Sequence, residues 1–258
     1  SGTSADATTF WRGDATWAGV AQAIGGSFKN LIVTRPSAAT VTVTADYLNV
    51  ETTSGSGTKI SSVNVTATIS SSGANGLDTG AEAANTIYYL YVIRKSSDGT
   101  VAALLSTSSS SPTMPSGYDQ KAIVSVVGND NSSNLIGFTQ TGLEYWFTAW
   151  LTAASGNVGI TPWIAVDLTP ATLSFFVPSA LSTVAFGTLY HQGTLILTND
   201  NTVADGVTDA VNKFIYQADT TADWWELNIK TADTIYWGSD NVNSKLYLAG
   251  FKLNKLVA

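Results

Sequence analysis

The sequence predicts an all-β protein, with the strands arranged as an antiparallel β-sandwich or a jelly-roll-like domain. Three observations support this fold class. Apolar and polar residues alternate over short runs, the runs are spaced by about 8–12 residues, and turn-forming clusters such as SSDG and GNDNSS separate them. One stretch within this region, residues 80–86, has the composition of one or two helical turns. Closely spaced strands with almost no helix are typical of sandwiches and jelly rolls.

The first 27 residues differ from the rest of the chain. They are rich in Gly, Ala, Ser and Thr, they contain Phe10, Trp11 and Trp17, and they show no sustained alternation. Residues 14–24 have the composition of a short helical segment. We therefore expect residues 1–27 to form a short extended N-terminal connector and residues 28–258 to form the β-sandwich domain.

Strands are predicted in order along that domain. Val41, Val43 and Ala45 alternate with threonines, and residues 63–69 repeat this pattern, so both runs predict half-buried strands. The run TIYYLYVIR, residues 86–94, is apolar on both faces and is predicted to lie centrally with both faces covered. Further strands are expected at residues 100–105, 120–127, 133–139, 144–152, 162–168, 183–190, 193–198, 212–217, 224–229, 233–238 and 245–252. A possible seam near residues 140–145 leaves open whether the domain is continuous or consists of two stacked halves.

Composition excludes several classes of partner. The formal net charge is −7 and the 12 basic residues are scattered, whereas a nucleic-acid binder needs a concentrated basic surface. The longest dense apolar run, residues 87–93, is too short to cross a bilayer, so no membrane insertion is expected. The chain contains no Cys and therefore neither disulfides nor thiolate metal sites.

No residue pattern predicts catalysis. His191 is the only histidine, and no G-x-S-x-G elbow accompanies it. Asp167, Glu226 and Asp233 are candidates for a pair of glycosidase carboxylates, but sequence does not give their separation. The acidic run at residues 199–209 lacks the ligand spacing of an EF-hand and is interpreted as a solvated turn. We predict no catalytic residues, no metal site and no cofactor.

Two segments resemble bacteriophage tail-fibre proteins. The segment TTFWRGDATWAG, residues 8–19, resembles a fibre motif in which a hydrophobic pair precedes Arg-Gly-Asp, a small residue, Thr and Trp, although Ala15 stands where Gly is commoner. Residues 73–130 are similar to a domain found in tail proteins and receptor-binding fibre tips. The resemblance covers residues 8 to about 140. It implies a distal fibre domain that forms a homotrimer, with residues 1–27 as the fibre stump that contacts other virion proteins.

The resemblance also implies a location and a function. The protein is expected in the virion, as part of a tail fibre assembled in the host cytoplasm. The leading hypothesis is a non-enzymatic fibre tip that binds a bacterial surface receptor, either a polysaccharide or an outer-membrane protein. The alternative is a capsid decoration or head-fibre protein, and the third possibility is a polysaccharide depolymerase.

Aromatic residues of the C-terminal half are the candidates for receptor contact. Adjacent strand residues point to opposite faces, so of Trp224 and Trp225 one is predicted in the core and the other on the surface or in a subunit interface. Recognition is expected on loops and strand ends of this half, because binding residues tend to lie on loops carried by a rigid scaffold. The predicted receptor-binding residues are Trp163, Trp224, Trp225, Tyr236 and Trp237.

Overall fold

The computed structural model is all-β, which confirms the predicted fold class. None of the residues that it describes lies in a helix, and so none forms a helix long and apolar enough to cross a membrane. The residues described are 9–11, 17–19, 27–155, 159–167, 176–178, 182–191, 195–198, 213–216, 221–229 and 234–253.

The described residues form nineteen strands. The first eleven are β1 (Thr9–Trp11), β2 (Trp17–Gly19), β3 (Phe28–Lys29), β4 (Ile32–Ser37), β5 (Thr40–Glu51), β6 (Gly57–Thr68), β7 (Gly76–Leu77), β8 (Thr86–Arg94), β9 (Val101–Ser106), β10 (Gln120–Asn129) and β11 (Phe138–Thr141). The others are β12 (Glu144–Ser155), β13 (Gly159–Asp167), β14 (Ser182–His191), β15 (Leu195–Thr198), β16 (Lys213–Tyr216), β17 (Thr221–Asn228), β18 (Thr234–Ser239) and β19 (Lys245–Leu253).

One antiparallel layer connects the two halves of the chain. Its strands lie in the order β6-β5-β4-β11-β12-β19-β14-β17. We call this layer the main sheet. Because directly opposed residues share a face, the register defines a core face and an outer face. A line of opposed residues on the core face crosses all eight strands, and all but the half-buried Val65 are buried: Val65, Val43, Val33, Gln140, Tyr145, Phe251, Ala185 and Leu227.

A second layer faces the N-terminal half of the main sheet. It contains β10, β8 and β9, with β7 pairing parallel to β9. The two layers join where Lys121 of β10 pairs with Glu51 of β5. The buried Gln140 amide also donates to the Val124 carbonyl oxygen at 2.9 Å, which connects β11 to β10. Residues 90–93 of β8 are all buried, as the two-sided apolar pattern predicts, and β8 lies between β10 and β9 in this layer.

A four-stranded sheet belongs to the C-terminal half. Its order is β13-β18-β15-β16. Leu197, Ile235 and Trp237 from this sheet are fully buried and belong to the same hydrophobic cluster as the core face of the main sheet. The whole arrangement is compatible with a β-sandwich.

The predicted seam near residues 140–145 is a hairpin inside the main sheet. β11 pairs with β4 on one side and with β12 on the other, so the hydrogen bonding continues across it. Gly142 makes the turn with a φ of +59°, which favours glycine, and its N–H donates to the Leu31 carbonyl oxygen at 2.8 Å. The two halves of the chain thus share one sheet.

The helical turns predicted from composition are wrong where the structure describes them. At residues 80–86, Gly80 has a φ of +74° and Asn85 a φ of +53°, values outside the right-handed helical region. Contacts with the end of β10 draw this segment away from a helix, since the Asn129 amide donates to the Ala83 carbonyl oxygen at 2.9 Å. In the N-terminal segment, residues 17–19 form β2, which pairs with β1 through Trp11 and Trp17.

Candidate functional site

Trp224 and Trp225 lie on opposite faces of the main sheet, as the alternation predicts. Trp225 is 1% exposed and Trp224 is 48% exposed. Trp225 stands opposite Gly187, and its indole N–H reaches across β14 to donate to the Tyr247 carbonyl oxygen at 3.1 Å. Trp225 is therefore a core residue with a satisfied donor, whereas Trp224 presents its ring to the surface.

The structure places the other predicted receptor-binding residues as follows. Trp237 is fully buried in the four-stranded sheet, and Tyr236 beside it is half-buried. Trp163 lies in β13, and its side chain is outside the described residues. Of the five predicted residues, Trp225 and Trp237 have no ring surface for a ligand, and Trp224 is the one that carries a candidate site.

Three rings pack on the outer face around Trp224. We call Trp146, Phe186 and Trp224 the aromatic platform. The ring centroids of Trp146 and Phe186 are 4.7 Å apart, those of Phe186 and Trp224 are 5.6 Å apart, and those of the two indoles are 5.8 Å apart. The indole planes are inclined by 29° to each other, so the two rings form a nearly continuous stack.

Gly250 makes room for this packing. Trp146 of β12 and Phe186 of β14 both stand directly opposite Gly250 of β19. A Cβ at Gly250 would lie 2.8 Å from the Phe186 ring, which means that the ring occupies the space where a side chain would be. Because β19 carries no side chain there, indoles from β12 and β17 come together across the two strands that separate them.

The central ring of the platform is buried, and the two indoles on either side of it are exposed. Phe186 is 1% exposed although it lies on the outer face, because the two indoles cover it. Trp146 remains 40% exposed and Trp224 48% exposed. The result is an apolar surface formed by two indoles that a buried ring holds in place. Exposed indoles of this kind suit stacking against a flat apolar face of a ligand.

Charged groups lie at one end of the platform. Lys252 Nζ is 2.7 Å and 2.8 Å from the two carboxylate oxygens of Glu226, and both side chains are partly exposed. Glu226 stands opposite Phe186, and Glu144 stands opposite Lys252. These polar groups are placed to hydrogen bond the hydroxyls of a ligand that stacks on the indoles.

A cavity adjoins the other end of the platform on the same face. It has a volume of about 470 Å³ and is lined by Tyr190, Asn243, Lys245 and Tyr247. The register places it beside Trp224, since Thr188 is opposite both Trp224 and Tyr247.

Of the residues considered for catalysis, Glu226 is the one whose side chain the structure describes. Glu226 is engaged by Lys252, Asp167 and His191 end β13 and β14, and Asp233 lies outside the described residues, as does the acidic run 199–209. No group of three or more His, Cys, Asp or Glu side chains that could hold a metal ion occurs among the described residues.

Trp146 is the site residue that sequence reasoning missed. It follows Tyr145, which is fully buried, so alternation alone placed one member of the pair on the outer face. Its contact with Trp224 depends on strand order, which no local pattern contains.

Searches against protein-family models, curated proteins and solved structures found no match to this chain.

Proposed function

We propose that this chain is the host-recognition tip of a phage tail fibre, a non-enzymatic virion protein that binds a bacterial surface glycan through the aromatic platform. The observation that carries the proposal is the pair of exposed indoles, Trp146 and Trp224, braced by the buried Phe186. The resemblance of residues 8 to about 140 to fibre proteins supports the location in the virion.

Stacking physics favours a glycan at this surface. A sugar ring has one face lined by C–H groups and an edge of hydroxyls, so it matches a flat aromatic surface with polar groups at its end. The platform provides both features, because Glu226 and Lys252 border the indoles. A purely structural surface would gain stability by burying these rings, or solubility by replacing them with small polar residues.

The test compares single substitutions on the outer face. Trp224→Ala and Trp146→Ala are each expected to lower adsorption to host cells by about 10- to 100-fold, the loss of about 1–3 kcal/mol of contact. Ile32→Ala is the control for the loss of an exposed apolar side chain, because Ile32 is 40% exposed on the outer face of β4, which β11 separates from β12, the strand of Trp146. The control is expected to leave adsorption unchanged.

Treatment of the cells identifies the kind of receptor. Adsorption to a panel of strains is measured after periodate oxidation of surface glycans and, separately, after protease treatment. Sensitivity to periodate alone supports the proposal, and sensitivity to protease alone points to an outer-membrane protein. Unchanged adsorption of both folded tryptophan variants would contradict the proposed site.

The fibre assignment carries an expectation of a homotrimer that contacts other virion proteins through residues 1–27. Light scattering of the purified chain measures its oligomeric state, and a monomer at micromolar concentration would count against the trimer. The same measurement on Trp224→Ala tests the platform. Dissociation of the oligomer by this substitution would assign the indole to a subunit interface instead of a receptor.

A further inference from the structure

We propose that the cavity lined by Tyr190, Asn243, Lys245 and Tyr247 is a second subsite, which binds a sugar ring carrying a negatively charged substituent. The inference rests on the proposed function, because it names the chemistry of the glycan whose neighbouring ring stacks on the platform. The charged substituent is a carboxylate or a phosphate, two groups that an ammonium recognises in the same way.

The cavity and the platform belong to consecutive rows of the same face. Trp224, Thr188 and Tyr247 form one row of opposed residues. Tyr190 and Lys245 oppose each other in the next row, two residues further along the strands, which is a distance of about 7 Å. A ring in the cavity and a ring on the indoles are therefore neighbours, and one extended glycan reaches both.

Lys245 supplies the charge that selects an anion. Lys29 and Lys252 pair with carboxylates, and three further lysines lie over tyrosine rings: Lys59, Lys95 and Lys121. Among the lysine side chains that the structure describes, Lys245 is the one with neither kind of partner. Its ammonium is exposed at the cavity and available to an anionic ligand.

The walls of the cavity strengthen such an ion pair. Tyr190 and Tyr247 are both half-buried and place aromatic surface beside Lys245. A ligand that fills the space between them displaces water, which raises the Coulomb attraction between its anion and the ammonium. The net charge of −7 on the chain repels polyanions at long range, so a local cation is needed for an acidic glycan to bind here.

A glycan array tests this subsite with matched probes. The array carries neutral oligosaccharides and the corresponding carboxylated and phosphorylated forms, and the wild-type chain is compared with Lys245→Met. The wild type is expected to prefer an acidic form over its neutral partner by about tenfold or more, and Lys245→Met is expected to remove that preference while retaining neutral binding. Lys59→Met, which removes the same charge from β6 at the opposite edge of the main sheet, is the matched control and is expected to keep the preference.

The outcomes separate this inference from the proposed function. Preference for the carboxylated or for the phosphorylated form supports the subsite and identifies the source of the anion. Equal binding of neutral and acidic forms that still depends on Trp224 overturns the acidic subsite and leaves the platform in place. Equal effects of Lys245→Met and Lys59→Met also overturn it. Absence of binding to any probe, together with cell adsorption that Trp224→Ala does not alter, overturns both proposals.

Discussion

Two aromatic clusters lie back to back on opposite faces of the main sheet. On the core face, four stacked or edge-on rings surround Tyr145, and none of the five rings is more than 6% exposed: Phe138, Phe147, Phe176 and Phe251. On the outer face, Trp146 and Trp224 pack over Phe186 but remain 40% and 48% exposed. Neighbouring residues such as Tyr145 and Trp146 therefore belong to clusters of different kinds.

The difference separates packing for stability from packing for contact. Rings on the core face are removed from water on all sides, so their burial stabilises the folded state. The outer indoles keep about half of their surface in water, although the threonines elsewhere on this face show that small polar residues suit it. We expect substitutions in the core cluster to affect stability and substitutions in the platform to affect binding.

Adjacent tryptophans give the largest expected contrast. Trp225→Ala is expected to lower the free energy of unfolding by about 3–5 kcal/mol, because it removes a fully buried ring and leaves a cavity. Trp224→Ala is expected to cost about 1 kcal/mol, the loss of ring contacts at a partly exposed site. Chemical denaturation measures both changes. Equal losses in the free energy of unfolding would contradict the proposed difference between the two faces.

Gly250→Ala is a single substitution that is expected to affect both aromatic clusters. The new Cβ would lie 2.0 Å from the Tyr145 carbonyl oxygen on β12 and 2.8 Å from the Phe186 ring, so both the strands and the platform must shift. We expect a loss of about 1–3 kcal/mol in stability and weaker glycan binding. Denaturation and cell adsorption of the same variant check the two effects. Full adsorption by a destabilised variant would show that the platform does not depend on this glycine.

Two buried tyrosines of the core differ in whether the hydroxyl is hydrogen bonded. The Tyr145 hydroxyl is fully buried, no described residue hydrogen bonds to it, and desolvation raises the pKa of Tyr145 well above its ordinary value. Tyr145→Phe is therefore expected to raise stability by about 1 kcal/mol. Tyr91→Phe is the matched control and is expected to lower stability by about 1 kcal/mol, because the Tyr91 hydroxyl donates to the Ser108 carbonyl oxygen at 2.8 Å. Chemical denaturation measures both changes: the unfolding midpoint is expected to rise for Tyr145→Phe and to fall for Tyr91→Phe.

The smallest effect is expected in the threonine-covered part of the outer face. Thr42 and Thr66 oppose each other on β5 and β6, and their hydroxyls are 2.9 Å apart. Thr66→Val removes this hydrogen bond at a partly solvated position, so the expected loss is about 0.2–1 kcal/mol with no change in adsorption. A loss of adsorption comparable to that of Trp224→Ala would extend the recognition surface beyond the platform.

Most strands were predictable because their signals are local. The run TIYYLYVIR predicts residues 86–94, and β8 is Thr86–Arg94. Short strands such as β4 escaped prediction, because Pro36 and Arg35 interrupt its apolar pattern and its pairing with β5 and β11 defines it. The helical composition of residues 80–86 was misleading for the same reason, since distant contacts with β10 override local propensity.

The sequence by itself determined that the chain is all-β, where most of its strands lie, and that Trp224 and Trp225 face opposite sides, because side-chain direction alternates within a single strand. Tertiary structure alone decided which of the two indoles is exposed and that Trp146 joins it. Those facts depend on the order β17-β14-β19-β12, which brings together residues far apart in the chain, and on Gly250, which leaves space between them. Strand order follows from how all the buried faces pack together, and a local pattern does not contain that information.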